Sequence, residues 1–359
     1  MLDLNQLRQS IDAIDDQLLA LLNERMDIIK QVGELKKKEK SIIYRPERER
    51  YILDRLAQKS ANRLLTRAAL EAIFLEIFAV SRNFELPERV AYLGPEGSFT
   101  HQAAESRFGQ MSEYVSLPNI SAVFENIATE RTRFGVVPIE NNLEGFVEDT
   151  LEMLQEMPVS IVAEILLPIH HTFVSRHDNL KQIRYVYSKD IVFKQCRKFL
   201  HDYFQQQSIE LIPVDSTSKA AQMAMENEHS AAICSIVAAK LYQAPIVFEN
   251  IEDNTHNQTR ILILSKNFEN QPSEKDKISL VLYPDGSANT ILPQLMEALM
   301  QHQIQLYKID SRPWRKNPHF QNWWYLEVAG HYQDTALAQC LQQFATSLRC
   351  LGSYTHSLT

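Results

Sequence analysis

A cation interrupts the first amphipathic run of this chain. Ile11, Ile14, Leu18, Leu21, Arg25, Ile28, Val32 and Leu35 follow a near-heptad spacing, and Arg25 stands where the seam calls for Leu or Ile. A charge there is costly to bury unless something pairs with it. Lys36, eleven residues on, lies about 20° away around the helix and about 16 Å along it, so both cations face one elongated space. Arg8 faces about 100° from Arg25, which directs it toward a neighbouring chain. Arg48 and Glu49 are adjacent in the next helical run, and Ser81 and Glu85 share a face at i, i+4 in the third. Each residue has an ordinary alternative. Lys36 belongs to a run of three lysines that reads as a solvated face, Arg8 as a surface residue, and an Arg in a seam as a register device. Together they describe a pocket with cations at both ends, suited to a small dicarboxylate.

A second set of polar residues follows, at strand–helix junctions. Gly94-x-x-Gly97-Ser98-Phe99-Thr100 leaves a strand and opens a helix, where backbone amides and hydroxyls could hold an anion. Glu140-Asn141-Asn142-x-x-Gly145, Ser188 with Gln195-Cys196, Ser216-Thr217-Ser218, and Asn257-Gln258-Thr259-Arg260 mark four more junctions. Any one of them reads as a cap or a turn. Together they favour a cleft. The dinucleotide spacing G-x-G-x-x-G is absent, which argues against a nicotinamide-dependent dehydrogenase. His170-His171 is no metal pair, because adjacent strand residues point to opposite faces. No metal and no cofactor is expected.

Three segments position these residues. Residues 3 to about 40 read as one helix over 50 Å long at about 1.5 Å per residue, too long for a compact monomer of that size to cover. A second helix runs from Pro46 to about Gln58 and a third from about Leu65 to Phe84, implying an interlocked helical dimer. After Leu86-Pro87 the pattern changes to alternating strands and helices, with strands at Arg89–Leu93, Gly135–Ile139, Ser160–Leu166, Ile183–Tyr187, Ala231–Cys234 and Arg260–Leu264. Such alternation predicts a layered α/β domain. Asn267–Asp276 reads as a polar linker. Beyond it come strand Ile278–Tyr283, helix Thr290–Gln301, strands Ile304–Asp310 and Trp323–Ala329, helix Asp334–Leu348 and strand Gly352–Thr355. That is the βαββαβ order of a ferredoxin-like fold. The boundaries are 1–87, 88–268 and 277–359.

The bulk numbers agree with a multidomain globular protein. The chain has 359 residues, 45% hydrophobic and 23% charged, which is enough for two or three cores. A net charge of −8 argues against a nucleic-acid binder. No apolar run reaches the roughly 18 residues of a membrane span. The amphipathic, acidic N-terminus is unlike a signal peptide, and Cys196, Cys234, Cys340 and Cys350 lie far apart, as for reduced thiols. The expected location is the cytoplasm.

LALLNERMDIIKQVGELKK, YRPERER and FLEIFAVSRNFE, in that order, resemble the all-helical chorismate mutase class across residues 3–85. The resemblance implies that Arg8 of a partner chain, Arg25 and Arg48 hold the substrate carboxylates. It puts Lys36 and Glu85 at the breaking ether oxygen, Glu49 at the substrate hydroxyl and Ser81 on the pocket wall. The rearrangement of chorismate to prephenate needs no nucleophile and no proton transfer. An enzyme contributes by holding the reactive conformer and stabilising charge on the ether oxygen, the work of cations and donors. Glu85 could donate only when protonated, so burial is expected to raise its pKa, and Glu85→Gln to flatten the alkaline limb of the mutase profile.

Residues 89–266 resemble prephenate dehydratases. By that resemblance Ser98, Glu140, Asn141, Ser188, Gln195, Cys196, Ser216, Thr217, Thr259 and Arg260 belong to a cleft between two lobes of periplasmic-binding-protein type. Thr259, in the family's Thr-Arg-Phe string with Ile261 for Phe, is expected nearest the chemistry. Prephenate loses its ring hydroxyl and, as carbon dioxide, its ring carboxylate. Thr259 is expected to supply the proton to the departing hydroxyl, directly or through a relay with Glu140. Cys196 reads more readily as a packed thiol than as a nucleophile. Residues 277–359 resemble the ACT domains that bind amino acids at dimer interfaces. Asp310-Ser311-Arg312-Pro313 stands for the Glu-Ser-Arg-Pro motif, and Thr290-Ile291-Leu292 for Gly-Ala-Leu. L-phenylalanine as effector and a homodimer or higher oligomer are implied. A sensor of aromatic metabolites with one activity lost is the alternative, and a mutase joined to a dehydrogenase a third.

Overall fold

Thr66 sets where the third helix begins: its carbonyl accepts from the Leu70 amide at 3.0 Å and its hydroxyl from Ala69 at 3.3 Å. The computed structural model describes residues 3–39, 46–61, 64–85, 89–109, 112–205, 207–273, 275–284, 290–315 and 321–356; the side chains of residues 36–39, 46 and 85 lie outside that description. Two units result, one of residues up to 88 with 107–113, the other of 89–106 with 114–359.

The first unit is helical, with α1 (Leu4–Glu39), α2 (Pro46–Lys59) and α3 (Arg67–Glu85). Helix α1 has 36 residues, hence about 54 Å. Its near-heptad stripe is left open: Leu4, Leu7, Ile11, Ile14, Leu18, Leu21, Ile28 and Leu35 are 45–63% exposed. Buried apolar residues of the unit include Leu53, Leu70, Phe78 and Ala79, on α2 and α3.

The second unit holds three sheets. In the first lobe, β1 (Arg89–Leu93), α4 (Phe99–Phe108), β2 (Glu113–Leu117), α5 (Ile120–Ala128), β3 (Phe134–Asn141), β4 (Gly145–Phe146), α6 (Glu148–Glu156) and β5 (Ser160–Pro168) follow in order. The chain then crosses to β6 (Thr172–Ser175), a 3-10 turn at Leu180–Gln182, β7 (Tyr185–Ser188), α7 (Asp190–Gln195), α8 (Arg197–Phe204), β8 (Glu210–Pro213), α9 (Thr217–Glu226), β9 (Ser230–Cys234), α10 (Ile236–Leu241) and β10 (Ile246–Phe248). It returns as β11 (Gln258–Ser265). Sheet order is β2-β1-β3-β11-β5 with β4 on β3, and β10-β6-β9-β7-β8 in the second lobe. The returning strand lies antiparallel between β3 and β5, so both crossings meet at one sheet end.

Local sequence explains the helices. Asn119 caps α5 by accepting from the Ala122 amide at 2.8 Å, and Ile120, Val123, Phe124 and Ile127 recur at the 3.6 period into the core. The short strands β2, β6, β8 and β10 were not among those expected from the alternation. The Thr172–Ser175 strand is wholly buried, so it lacks the period-2 signal.

The third sheet comes from β12 (Asp276–Leu282), α11 (Ile291–Gln301), β13 (Leu306–Pro313), β14 (Asn322–Ala329), α12 (Thr335–Gln342) and β15 (Leu348–Thr355). Its order β13-β14-β12-β15 is that of a ferredoxin-like βαββαβ unit. Two local expectations are corrected. The last helix ends at Gln342 rather than Leu348, and the last strand starts at Leu348 rather than Gly352, because the ladder to β12 runs from Leu348↔Leu282 onward. The polar stretch 267–276 is no free linker: Phe268 is buried, and the Asn270 amide donates to Val162 and Ser353 carbonyls at 2.8 Å each.

Candidate functional site

In the helical unit, Arg25 donates to the hydroxyl of Ser81, which itself donates to the Ile77 carbonyl at 2.6 Å. The Arg25 guanidinium also lies 5.9 Å from the Phe78 ring centroid. The seam cation and the polar face of α3 therefore meet. Arg48 covers Tyr51 at 5.1 Å, and Arg8 stands exposed on α1. Glu49 is buried and forms an ion pair with Arg82, with Arg107 3.9 Å away. Arg82 was missed by sequence reasoning. Its signal is a lone cation inside the apolar run FAVSRNF, next to a serine already singled out. The side chains of Lys36 and Glu85 lie outside the described residues.

In the second unit, the end of β3 and the start of β11 assemble a polar pair. Asn141 donates from Nδ2 to Thr259 Oγ1 at 3.0 Å and to Asn257 Oδ1 at 2.9 Å. Its Oδ1 accepts from the Leu143 and Glu144 amides at 2.9 and 3.2 Å, which fixes the orientation of the side-chain amide. Because Asn141 supplies the hydrogen, the Thr259 hydroxyl proton remains available for another acceptor.

The crossing segment ties this pair to the second lobe. Ile169 donates to the Asn257 carbonyl at 2.9 Å, and two residues on His171 Nε2 meets Gln195 Oε1 at 3.0 Å. The amide oxygen only accepts, so Nε2 carries the hydrogen and the Gln195 amide nitrogen is turned elsewhere. Burial holds the His171 pKa down, which keeps the ring neutral. Phe99 packs edge-on against His171 at 5.6 Å, bringing the Ser98 loop alongside. Gly97 lets that loop approach: at φ +80°, a Cβ there would come within 2.8 Å of Ser218 Oγ and 3.2 Å of Ala238 Cα. Asn257 stood in one of the polar junction strings, whereas His171 was not expected in the site.

Other expected residues serve the scaffold. Ser98 accepts from the His101 amide at 3.2 Å and Ser216 from Lys219 at 3.0 Å, both as helix caps. Thr217 follows, buried, as the first residue of α9. Ser188 is fully buried and donates to the Ile233 carbonyl at 2.8 Å. Cys196 does not line the cleft. It is fully buried in the core with Phe173, Val186 and Phe199, and burial raises its thiol pKa.

The relay from Thr259 to Glu140 does not form. Thr259 pairs with Asn141 and Arg260 with Glu140 across the β3–β11 ladder, and consecutive strand residues face opposite ways. Arg260 is accordingly turned away from Thr259. Its Nη2 lies 3.0 Å from Glu140, and its Nη1 3.4 Å from Glu164 and in contact with Glu327 of β14. Lys277 of β12 bridges Glu164 and Glu327 at 2.7 and 2.9 Å. Burial alone would raise the Glu327 carboxyl, but Arg260 and Lys277 reverse that and bring its pKa down to about 2. On β13, Arg312 pairs with Asp310 at 2.7 Å and with Glu148 at 2.9 Å, Ser311 is exposed, and Leu292 packs on the core of the third sheet. Thr290 precedes α11 as its N-cap residue, without a side-chain capping bond.

Among the described residues, no group of three or more His, Cys, Asp and Glu could hold a metal ion, and no helix is long and apolar enough to cross a membrane.

Two family models match the chain: "Chorismate mutase type II" over residues 7–86 and "Prephenate dehydratase" over residues 90–269. A bifunctional chorismate mutase/prephenate dehydratase of Aquifex aeolicus is 36% identical over 364 residues, covering 100% of this chain and 99% of its own. A prephenate dehydratase from Arthrobacter aurescens, solved with L-Phe, superposes with a TM-score of 0.68 at 24% identity, over 75% of this chain and 90% of its own. GqqA, described as a quorum-quenching acylase, superposes with a TM-score of 0.67 at 20% identity, over 75% and 98%. Such low identities establish a shared fold alone; the chemistry belongs to the site.

Proposed function

This chain belongs to the family of bifunctional chorismate mutase/prephenate dehydratases, and we infer that its two units each carry one of the two reactions of that name. The helical unit converts chorismate to prephenate. The second unit converts prephenate to phenylpyruvate, with loss of water and carbon dioxide, in phenylalanine biosynthesis. The observation that carries the reading is that Asn141, held by its own turn, donates to Thr259 where both lobe crossings meet.

In the first reaction Arg25 and Arg48, with Arg8 of a second copy, hold the substrate carboxylates, and Ser81 orients Arg25. Lys36 and a protonated Glu85 stabilise the ether oxygen, and Glu49 serves the substrate hydroxyl while Arg82 neutralises it. The open apolar stripe of α1 supports a homodimer as the working form, since it leaves eight large side chains in water. In the second reaction Thr259 gives its proton to the departing ring hydroxyl and Gln195, oriented by His171, holds the substrate. Aromatisation supplies the driving force, so neither a nucleophile nor the buried Cys196 is required.

The βαββαβ unit serves as an ACT-type regulatory domain, with L-phenylalanine as effector near Thr290, Leu292 and Asp310–Arg312. Boundaries at 1–87, 88–268 and 277–359 and a cytoplasmic location complete the reading. Purified protein given chorismate alone should form phenylpyruvate. Accumulated prephenate would keep the mutase and reject the dehydratase, and unconsumed chorismate would reject both. Calorimetry with L-phenylalanine tests the effector, and no detectable heat would remove it.

A further inference from the structure

The polar face of β13 grips the hairpin that carries Asn141. Along this strand Lys308, Asp310 and Arg312 are half-buried, while Ile309, Ser311 and Pro313 are exposed, so the three charged residues share one face. Lys308 reaches the Glu140 carboxylate, and its ammonium lies 5.2 Å from the Phe146 ring centroid. Glu140 and Phe146 are cross-strand partners in the β3–β4 hairpin, and Asn141 pairs with Gly145 at its turn. Two residues beyond Phe146, Glu148 takes Arg312. Both arms of the hairpin are thus held by one strand of the third sheet.

The two oxygens of Glu140 are divided between two supports. Oε1 meets Lys308, and Oε2 meets Arg260 at 3.0 Å. Arg260 is in turn fixed by Glu164 and Glu327, and those carboxylates by Lys277. Three carboxylates and three cations form the cluster, so removing one charge leaves its neighbours uncompensated. Glu140 directly precedes Asn141, whose amide holds Thr259 on the opposite face of the sheet. A shift of Glu140 must therefore tilt the residue that positions Thr259.

We propose that Lys308 is a positioning residue for the dehydratase: from the third sheet it clamps Glu140, and through the β3–β4 hairpin it sets the Asn141–Thr259 geometry. It touches no reacting atom. The same strand carries Asp310 and Arg312, so a ligand taken up by those two side chains would bear on the clamp from the same face. The inference rests on the dehydratase reading given above.

Lys308→Met and Lys308→Arg in the full chain test it, with prephenate turnover, chorismate turnover and thermal unfolding all measured. Misplacing a positioning group by about 1 Å costs up to about a hundredfold in rate. The dehydratase kcat of Lys308→Met is therefore expected to fall between about tenfold and a hundredfold, with KM changed less than kcat. Lys308→Arg should recover most of the loss, and mutase turnover should stay at the wild-type value in both. In the double variant Lys308→Met/Glu140→Gln the loss should not exceed that of the worse single change, because both remove one contact. Unchanged kcat in Lys308→Met, failure of Lys308→Arg to recover activity, or multiplicative losses in the double variant would each overturn the clamp. A wild-type protein that consumes no prephenate would instead overturn the dehydratase reading, and the clamp with it.

Discussion

Thr259 and Arg260 are neighbours on β11 whose side chains serve opposite faces of one sheet. Thr259 accepts from Asn141 at 3.0 Å, whereas Arg260 meets Glu140, Glu164 and Glu327. One dipeptide thus joins the Asn141 hydrogen-bond network to a buried ionic cluster, and the two residues should respond to substitution differently.

Thr259→Val removes the hydroxyl and keeps the shape. Dehydratase kcat should fall by about 10²–10⁴, the range for a positioned proton donor, with mutase turnover and thermal midpoint nearly unchanged. Phenylpyruvate formation from prephenate checks it. Turnover within a few-fold of wild type would remove Thr259 from the chemistry.

Glu327→Gln should act on stability. The folded carboxyl titrates near 2 and an unfolded one near about 4.3, so Glu327 contributes about 3 kcal/mol above the unfolded value. The pKa is depressed on folding, so that contribution is lost as pH falls from about 4.3 through 2. Urea unfolding of wild type and variant should differ by about 3–5 kcal/mol at pH 7 and converge toward pH 2. A pH-independent difference would contradict the assignment.

Arg82→Met removes the direct partner of the buried Glu49 carboxylate in the helical unit, leaving it Arg107 at 3.9 Å. Breaking one side of a buried pair costs about 3–5 kcal/mol. Denaturation followed by helical circular dichroism should show that loss, and adding Glu49→Leu should restore part of it. A surface-like change below about 0.5 kcal/mol would mean that the pair is open to water.

Leu21→Asp places a charge in the open stripe of α1, where Leu21 is 63% exposed. Sedimentation velocity should report a change from dimer to monomer. Mutase turnover should fall at least about a hundredfold as Arg8 of the second copy is withdrawn, and dehydratase turnover should persist. An unchanged sedimentation coefficient would reject the α1 stripe as a dimer contact.

Much of this architecture is determined by short-range patterning. The heptad stripe, the proline opening α2 and the βαββαβ order are local signals, and they anticipated α1 to within a residue or so at each end. Strand β6 escaped because a wholly buried strand carries no alternation. Strand β15 began early because a ladder partner outweighed local helical preference.

For the site, sequence supplied residue types and neighbourhoods: Arg25 with Ser81, Asn141 with Thr259, Gln195 at a junction. It could not say which face a strand residue serves. Adjacent residues alternate, and register with distant strands decides which side meets the cleft. Tertiary structure therefore turned Glu140 and Arg260 away from Thr259, enclosed Cys196 in the core, and brought in His171 and Lys308. Lys308 lies 168 residues from Glu140, and nothing local to either residue encodes that meeting.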